Sequence, residues 1–272
     1  MAGHAIPEGH RRLRTTRLPT LRLVDKTPSH IGTLREKPLH ASLKQWYSRP
    51  GDLFEMPLDG YVVDLLRDDG LLIEIQTSGF SSMKAKTTRL LATGHRVRIV
   101  HPIPVDKTIV KVDSDGTIIS RRISPKHGAP TDVFGELVSF PGLLAGSDLE
   151  LDVVMTIEEE YRHHTPDRSW RRRGWSVTER RLIDVKGSVL LTSPADLVRL
   201  LPDGLPAKFT TADIAEHLGR PRRVAQQMAY CLREIGAIDI VGKQGNTMEY
   251  RLATRRVNEP VDPPRPSAVQ DT

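Results

Sequence analysis

YVVDLLRDDGLLIEIQT, residues 61–77, consists of two short apolar runs joined by Asp68-Asp69-Gly70. Runs of this length on either side of a glycine-bearing turn predict an antiparallel hairpin, Tyr61 to Arg67 against Leu71 to Thr77. Alternate residues share a face of a strand, so Val62, Asp64 and Leu66 line up on one arm and Leu72, Glu74 and Gln76 on the other. With Asp68, Asp69 and Gly70 as the loop, the register is symmetric about Asp69 and sets Asp64 opposite Glu74. A two-residue turn at Asp69-Gly70 would shift that register. Like charges facing each other across apolar strands destabilise the sheet unless a cation or a proton lies between them. A divalent cation meets the need, because a hard ion such as magnesium takes a few carboxylate oxygens and keeps waters that can be activated at phosphate.

The flanks extend the pattern. Leu39, Leu43, Trp46 and Tyr47 fall at helical spacing and predict a helix over 39–47, stopped by Arg49-Pro50-Gly51. A strand follows over Asp52 to Met56, then a turn at Leu58-Asp59-Gly60. After the hairpin, Met83, Thr87, Leu90 and Leu91 make one stripe of a helix over Ser81 to Ala92, and His95 to Pro102 is another strand. The order is helix, strand, strand, strand, helix, strand.

That order and those acids resemble the PD-(D/E)XK nuclease superfamily, over about Glu36 to Pro104. In the superfamily an aspartate on the second strand and an acid-x-lysine on the third assemble a metal site. Asp64 matches the first, and Glu74-Ile75-Gln76 matches the second with glutamine in place of lysine. Neutral glutamine hydrogen-bonds but cannot neutralise developing charge. Some branches, competence-protein nucleases among them, carry acid-x-glutamine here, and in others a lysine has moved to the following helix. The resemblance implies an α/β (α+β) chain with a restriction-endonuclease-like mixed sheet core, magnesium or manganese as cofactor and DNA as substrate, that is, a magnesium-dependent deoxyribonuclease. Carried over residue by residue, it makes Asp64 and Glu74 metal ligands together with the Ile75 carbonyl, has Gln76 orient water, and leaves the positive charge to Lys84 or Lys86. These lysines flank the helix stripe on opposite sides, so at most one faces the site, and Lys86 is preferred. Glu36 is a candidate third acid, with Asp59 a less favoured substitute. Pro38-Leu39-His40, Ile73 to Thr77, Trp170 to Trp175 and the C-terminal segment together also resemble an uncharacterised bacterial family.

That C-terminal segment, Phe209 to Leu252, reads as a winged helix-turn-helix. Thr210 is placed as an N-cap with Asp213 at N3, Gly219 and Arg220 form a turn, and Pro221 opens a second helix. Val224, Met228, Cys231, Leu232 and Ile235 form its buried stripe, and Ala237 to Val241 and Met248 to Leu252 flank a turn at Lys243 to Asn246. Arg222, Arg223, Gln226, Gln227, Tyr230 and Arg233, with Lys243 on the wing, are then the residues expected to meet phosphates and base edges of DNA. Winged helices also serve as protein-binding modules, so a non-catalytic DNA-binding regulator on a degenerate nuclease fold is the alternative to a hydrolase.

Residues 1–28 and 255–272 read as disordered tails, 29–104 as the nuclease-like core, 105–205 as a middle α+β region, and 206–254 as the winged-helix domain. In the middle, Thr108 to Ser120 reads as a hairpin, Thr131 to Leu144 as helical with a break at Pro141, and Leu149 to Tyr161 as a strand that turns acidic. Trp170-Arg171-Arg172-Arg173-Gly174-Trp175 could stack on bases, and a solvated loop anchored by its tryptophans is the more ordinary reading. His163-His164 belong to a surface loop, and His40 and His101 are assigned no catalytic role. Lys and Arg total 40 against 34 Asp and Glu, a charge of +6 that suits phosphate without proving it as a partner. Cys231, the single cysteine, excludes an intrachain disulfide, and no apolar run suits a membrane span. A cytoplasmic protein is expected, with a homodimer left open.

Overall fold

The computed structural model describes residues 37–146, 148–164 and 174–253. Glu36, the tails and residues 165–173, which include Asp167 and Trp170 to Arg173, lie outside the described residues.

Helix α1 (Pro38–Tyr47) starts on a proline, whose missing N–H costs nothing in a first turn. It buries Leu39 and Leu43, one turn apart, and ends before the Pro50-Gly51 turn. Strands β1 (Leu53–Leu58), β2 (Tyr61–Leu66) and β3 (Leu71–Ile75) form an antiparallel meander. Asp59 and Gly60 both adopt positive φ, as a two-residue hairpin turn requires. At the second turn Gly70 N–H donates to Arg67 O and Arg67 N–H to Leu71 O, a three-residue loop whose last position, Gly70, has φ +80°. The loop fixes the pairs Leu65 with Ile73 and Leu66 with Leu72, so the register is symmetric about Asp69 as the sequence predicts.

After a 3-10 turn (Phe80–Ser82), α2 (Lys84–Ala92) crosses to β4 (Arg96–Val112), which lies parallel to β3. Thus the expected helix over 81–92 divides into a 3-10 turn and a shorter α-helix. β5 (Ile118–Ile123) pairs with the far half of β4, and Pro130–Val133, α3 (Phe134–Leu137) and Pro141–Leu144 are the short helical turns before β6 (Leu149–His164). β6 runs parallel to β4, β7 (Trp175–Leu191) closes the sheet antiparallel to β6, and the short helix α4 (Pro194–Val198) follows. The result is a seven-stranded mixed sheet of order β1-β2-β3-β4-β6-β7, with β5 on the outer part of β4. The chain is therefore α+β with a mixed sheet.

One expected boundary changes and one strand is new. The division between 104 and 105 falls inside β4, so the middle region completes the same sheet instead of forming a unit of its own. β7 has no counterpart in the sequence reading, because its alternation is broken by Glu179, Arg180, Arg181 and Gly187. Those charges pair within the sheet. Arg180 grips buried Glu158, Arg121 meets Glu159, and Lys107 and Arg162 share Glu160, which explains how β6 carries three buried glutamates.

The last quarter of the chain holds β8 (Phe209–Thr210), α5 (Thr211–Leu218), α6 (Arg222–Glu234), β9 (Ile238–Gln244) and β10 (Thr247–Leu252), the strands ordered β8-β10-β9. Thr210 Oγ1 accepts from Ala212 N–H, and Asp213 returns a bond to Thr210 N–H at 2.7 Å, the reciprocal cap that starts α5. Gly219 at φ +60° turns the chain into α6. α6 buries Ala225, Met228, Ala229, Cys231 and Leu232, a broader face than the single stripe expected, because α3 and the Pro141–Leu144 turn pack on it. Cys231 is among these, and burial pushes its thiol up to about 12, which leaves it an unreactive hydrophobe.

Apolar packing divides between the faces of the sheet. α1 covers one face with Leu39 and Leu43 against Leu65, Ile73, Ile75, Val100 and Val154. The other face, built on Leu72, Val97, Ile99 and Val153, shares one continuous core with Leu90 of α2, Phe134 and Leu137 of α3, and Met228 and Leu232 of α6. No helix among the described residues is long and apolar enough to cross a membrane.

Candidate metal and nucleic-acid sites

Asp64 and Glu74 sit where β2 and β3 part. Extending the register of Leu65 with Ile73 would send Ile75 N–H to the Val63 carbonyl. Instead Ile75 N–H donates to Asp64 Oδ2 at 2.7 Å, so the carboxylate fills the gap between the strands. A strand residue carries its N–H and its carbonyl toward the same neighbour, which turns the Ile75 carbonyl to this gap as well.

Glu74, on the α2 side, is mostly buried, its side chain 15% exposed. Burial pushes its carboxyl up to about 7; Lys86 opposes the shift and the nearby Asp64 charge adds to it. For Asp64 burial acts in the same raising direction but is outweighed by the hydrogen bond and charge of His40, by Ile75 N–H and by Lys86, which together hold the carboxyl below its ordinary range. The paired acids are thus driven apart, one firmly ionised and one poised near neutrality, the pattern common where like charges share a buried site.

Two bases compensate this charge. Lys86 Nζ stands 2.5 Å from Glu74 Oε1 and donates to Val62 O at 2.6 Å. Lys84 does not reach the acids; its ammonium lies over the Phe140 ring, 5.2 Å from the centroid. One residue of spacing on a helix rotates side chains by about 100°, so two residues put these lysines on different flanks, as the sequence requires. His40 Nε2 lies 3.2 Å from Asp64 Oδ2. His40 carries no role in a reading of the residues alone, because nothing local to α1 shows that its first turn comes within reach of Asp64.

Gln76 is corrected. Its amide Nε2 donates to Ser78, Gly79 and Ser82, so it braces the loop leading into α2 and is not turned to water beside the acids. The Gln76 carbonyl meets His101 Nδ1 at 2.8 Å, and His101 is buried edge-on to Phe80. Asp59 pairs with Thr93 and His95 at the β1–β2 turn, apart from the acids. Glu55 was missed. Phe54 pairs with Leu65 and Met56 with Val63, which sets Glu55 across from Asp64, and the two-residue turn at Asp59-Gly60 would have revealed it. Glu55 holds φ +52°, a strained conformation for a residue with a side chain, and its carboxylate accepts from Lys44 at 2.9 Å. Among the described residues, no group of three or more His, Cys, Asp or Glu is placed to hold a metal ion.

A second candidate surface lies on α6. Arg222, Gln226, Tyr230 and Arg233 recur on one face and, with Asn246, Thr247 and Met248 of the hairpin, line an open groove of about 220 Å³. Arg222 donates to Thr247 Oγ1, and the Arg233 guanidinium lies over the Tyr230 ring. Gln227 is instead half-buried against Gly135 beside α3, so it leaves the expected contact set. Arg223 is exposed but does not line the groove, and Lys243 lies on β9 outside it.

Comparison with known proteins places residues 37–192 within a family described as a domain of unknown function, DUF8091. That span ends just beyond β7, so it takes in the large sheet and leaves out α5, α6 and their hairpin. An uncharacterised protein of Treponema pallidum (strain Nichols) is 31% identical over 224 residues, 81% of this chain and 87% of its own length. No solved structure matches.

Proposed function

For a chain that belongs to this family of undescribed activity, we propose a divalent-metal-dependent nuclease that hydrolyses phosphodiester bonds in DNA, with α6 and its hairpin holding the nucleic acid. The observation that carries the reading is the opposed pair Asp64 and Glu74 at the parting of β2 and β3, with Lys86 beside it. The order helix, three strands, helix, strand, with β3 and β4 parallel, supports it too.

The donor set fits a hard cation. Two carboxylates and a backbone carbonyl are all oxygen, and a buried Glu74 whose proton is held up to about 7 gains from a positive charge. Asp64, Glu74 and the Ile75 carbonyl would hold magnesium or manganese, which when bound supplies Lewis-acid charge at the phosphate and acidifies water. His40 keeps Asp64 ionised and oriented. Lys86 brings a cation to the face where charge builds on the phosphoryl oxygens, the task of the lysine that the third strand lacks. Gln76 is a positioning residue: by tying down Ser78 to Ser82 it sets where α2 begins and so where Lys86 stands.

The groove on α6 supplies the grip on DNA. Its arginines pair with phosphates, Tyr230 offers a ring for packing, and Gln226 and Asn246 can bond base edges. Magnesium-dependent cleavage of plasmid and linear DNA by the wild type, lost in Asp64→Asn, is the test. One observation favours a second reading. Among the described residues only two acids converge, and Lys86 already neutralises Glu74 at 2.5 Å, as it would in a non-catalytic DNA-binding protein. That reading requires DNA binding indifferent to magnesium and no hydrolysis with any metal.

A further inference from the structure

A small cleft opens between the start of α1, the end of β3 and the middle of β7. It holds about 90 Å³ and is lined by Lys37, Leu39, Thr77, Ser78, Thr178 and Arg180, among others. That is room for several water molecules or one small anion. Its lining adjoins the carboxylate site along the chain: Leu39 precedes His40, which lies 3.2 Å from Asp64, and Thr77 stands three residues past Glu74.

The chemistry of the lining suits an anion. Arg180 is fixed in place, its Nε and Nη2 on Glu158 and its Nη1 on the Thr77 carbonyl. A guanidinium has five N–H groups, so two remain, and they are pre-oriented because the other three are anchored. Lys37 is exposed and has no ion-pair partner among the described residues. α1 has no side-chain cap and, among the described residues, no acid in its first turn, and its N-terminal residues Lys37 and Leu39 belong to the lining, so the positive end of its dipole lies at the cleft. Ser78 and Thr178 add hydroxyls. The acid on the rim, Glu179, is turned to Arg181.

We propose that this cleft binds a phosphate group of a nucleic-acid strand, the one neighbouring the phosphate presented to Asp64 and Glu74. It thereby sets the register of the strand across the carboxylates. The proposal rests on reading those carboxylates as a phosphodiester site. Either a backbone diester or a terminal 5′-monophosphate presents the same oxygens.

The test is fluorescence anisotropy of the full chain with a labelled single-stranded DNA oligonucleotide in metal-free buffer, with and without a 5′-phosphate. Thr178→Glu places an acid in the cleft without touching the Arg180–Glu158 pair, and Lys37→Gln removes one cation. Thr178→Glu is expected to weaken binding by about tenfold, as a like charge near phosphate does. Lys37→Gln should lower the slope of log affinity against log salt by about 0.7. If the wild type prefers the 5′-phosphorylated strand and Thr178→Glu erases the preference, the cleft takes the terminal group. If both strands weaken alike, it takes the backbone. Unchanged affinity and salt slope in both variants, with unchanged circular dichroism, overturn the proposal. Binding lost in these variants by a protein that cleaves nothing removes the hydrolase reading and leaves this one. Cleavage with binding indifferent to both variants does the opposite.

Discussion

Lys86→Met should destabilise the protein by an amount that grows with pH, and the reason lies in Glu74. In the wild type the Glu74 carboxyl titrates near 7, above its ordinary 4.5, because burial disfavours its charge and Lys86 only partly restores it. Both side chains are mostly buried, 20% and 15% exposed, so solvent screening is weak. The stability that comes with this raised carboxyl is fully present below pH 4.5 and is lost as pH rises through 7; above 7 the folded and unfolded wild type are both ionised, and the dependence stops. Without Lys86 the folded carboxyl stays protonated well past 7 while the unfolded one does not. The variant therefore keeps losing about 1.4 kcal/mol per pH unit where the wild type has levelled off. Loss of the bond to Val62 O adds a constant cost of about 1 kcal/mol. Urea denaturation at pH 6, 7, 8 and 9 separates the two contributions. The gap between variant and wild type should be about 1 kcal/mol at pH 6, from the lost bond to Val62 O, and wider than that by about 1.4 kcal/mol at pH 8. A gap independent of pH would refute the claim that Lys86 sustains the ionised form of Glu74.

The same titration governs metal. Because a proton and a cation compete for Glu74, magnesium affinity measured by calorimetry should rise with pH and level off above about 7, and a flat profile from pH 5.5 to 8.5 would remove Glu74 from the site. Arg222→Ala and Arg233→Ala should each reduce the salt slope of duplex DNA binding by about 0.9, while Gln227→Ala, beside α3, should leave it unchanged; equal effects from all three would show that α6 meets DNA by another face. Gly128→Ala should lower stability measurably in thermal denaturation, since a Cβ there would lie 2.5 Å from the Pro104 carbonyl, and an unaltered midpoint would mean that the loop gives way freely.

Short-range signals were legible in the sequence. Asp68-Asp69-Gly70 gave the loop and hence the register of Leu65 with Ile73, and Thr210 with Asp213 gave the start of α5. Both depend on turn and cap chemistry that acts over three or four residues. What stayed hidden depends on contacts far apart along the chain. β7 escaped notice because Arg180 and Arg181 look solvated until Glu158 and Tyr161 are brought beside them. Gln76 was placed at the acids because strand alternation points it there, but four acceptors in the next loop capture its amide first. Gln227 left the open face of α6 only because α3 packs on that side, and His40 joined the site because the packing of α1 on the sheet brings it within 3.2 Å of Asp64. Glu55 is different in kind: its hairpin register was available, and only its apparent place in an apolar strand concealed it.

The central claim is that Asp64 and Glu74 form a cation site serving phosphodiester hydrolysis. Incubating wild type, Asp64→Asn and Lys86→Met with supercoiled and linear DNA, in magnesium and in manganese, tests it most directly. The account predicts cleavage by the wild type that chelator abolishes, none by Asp64→Asn, and a strongly reduced rate in Lys86→Met at unchanged DNA affinity. Intact DNA with every metal, or cleavage that survives Asp64→Asn, would contradict it.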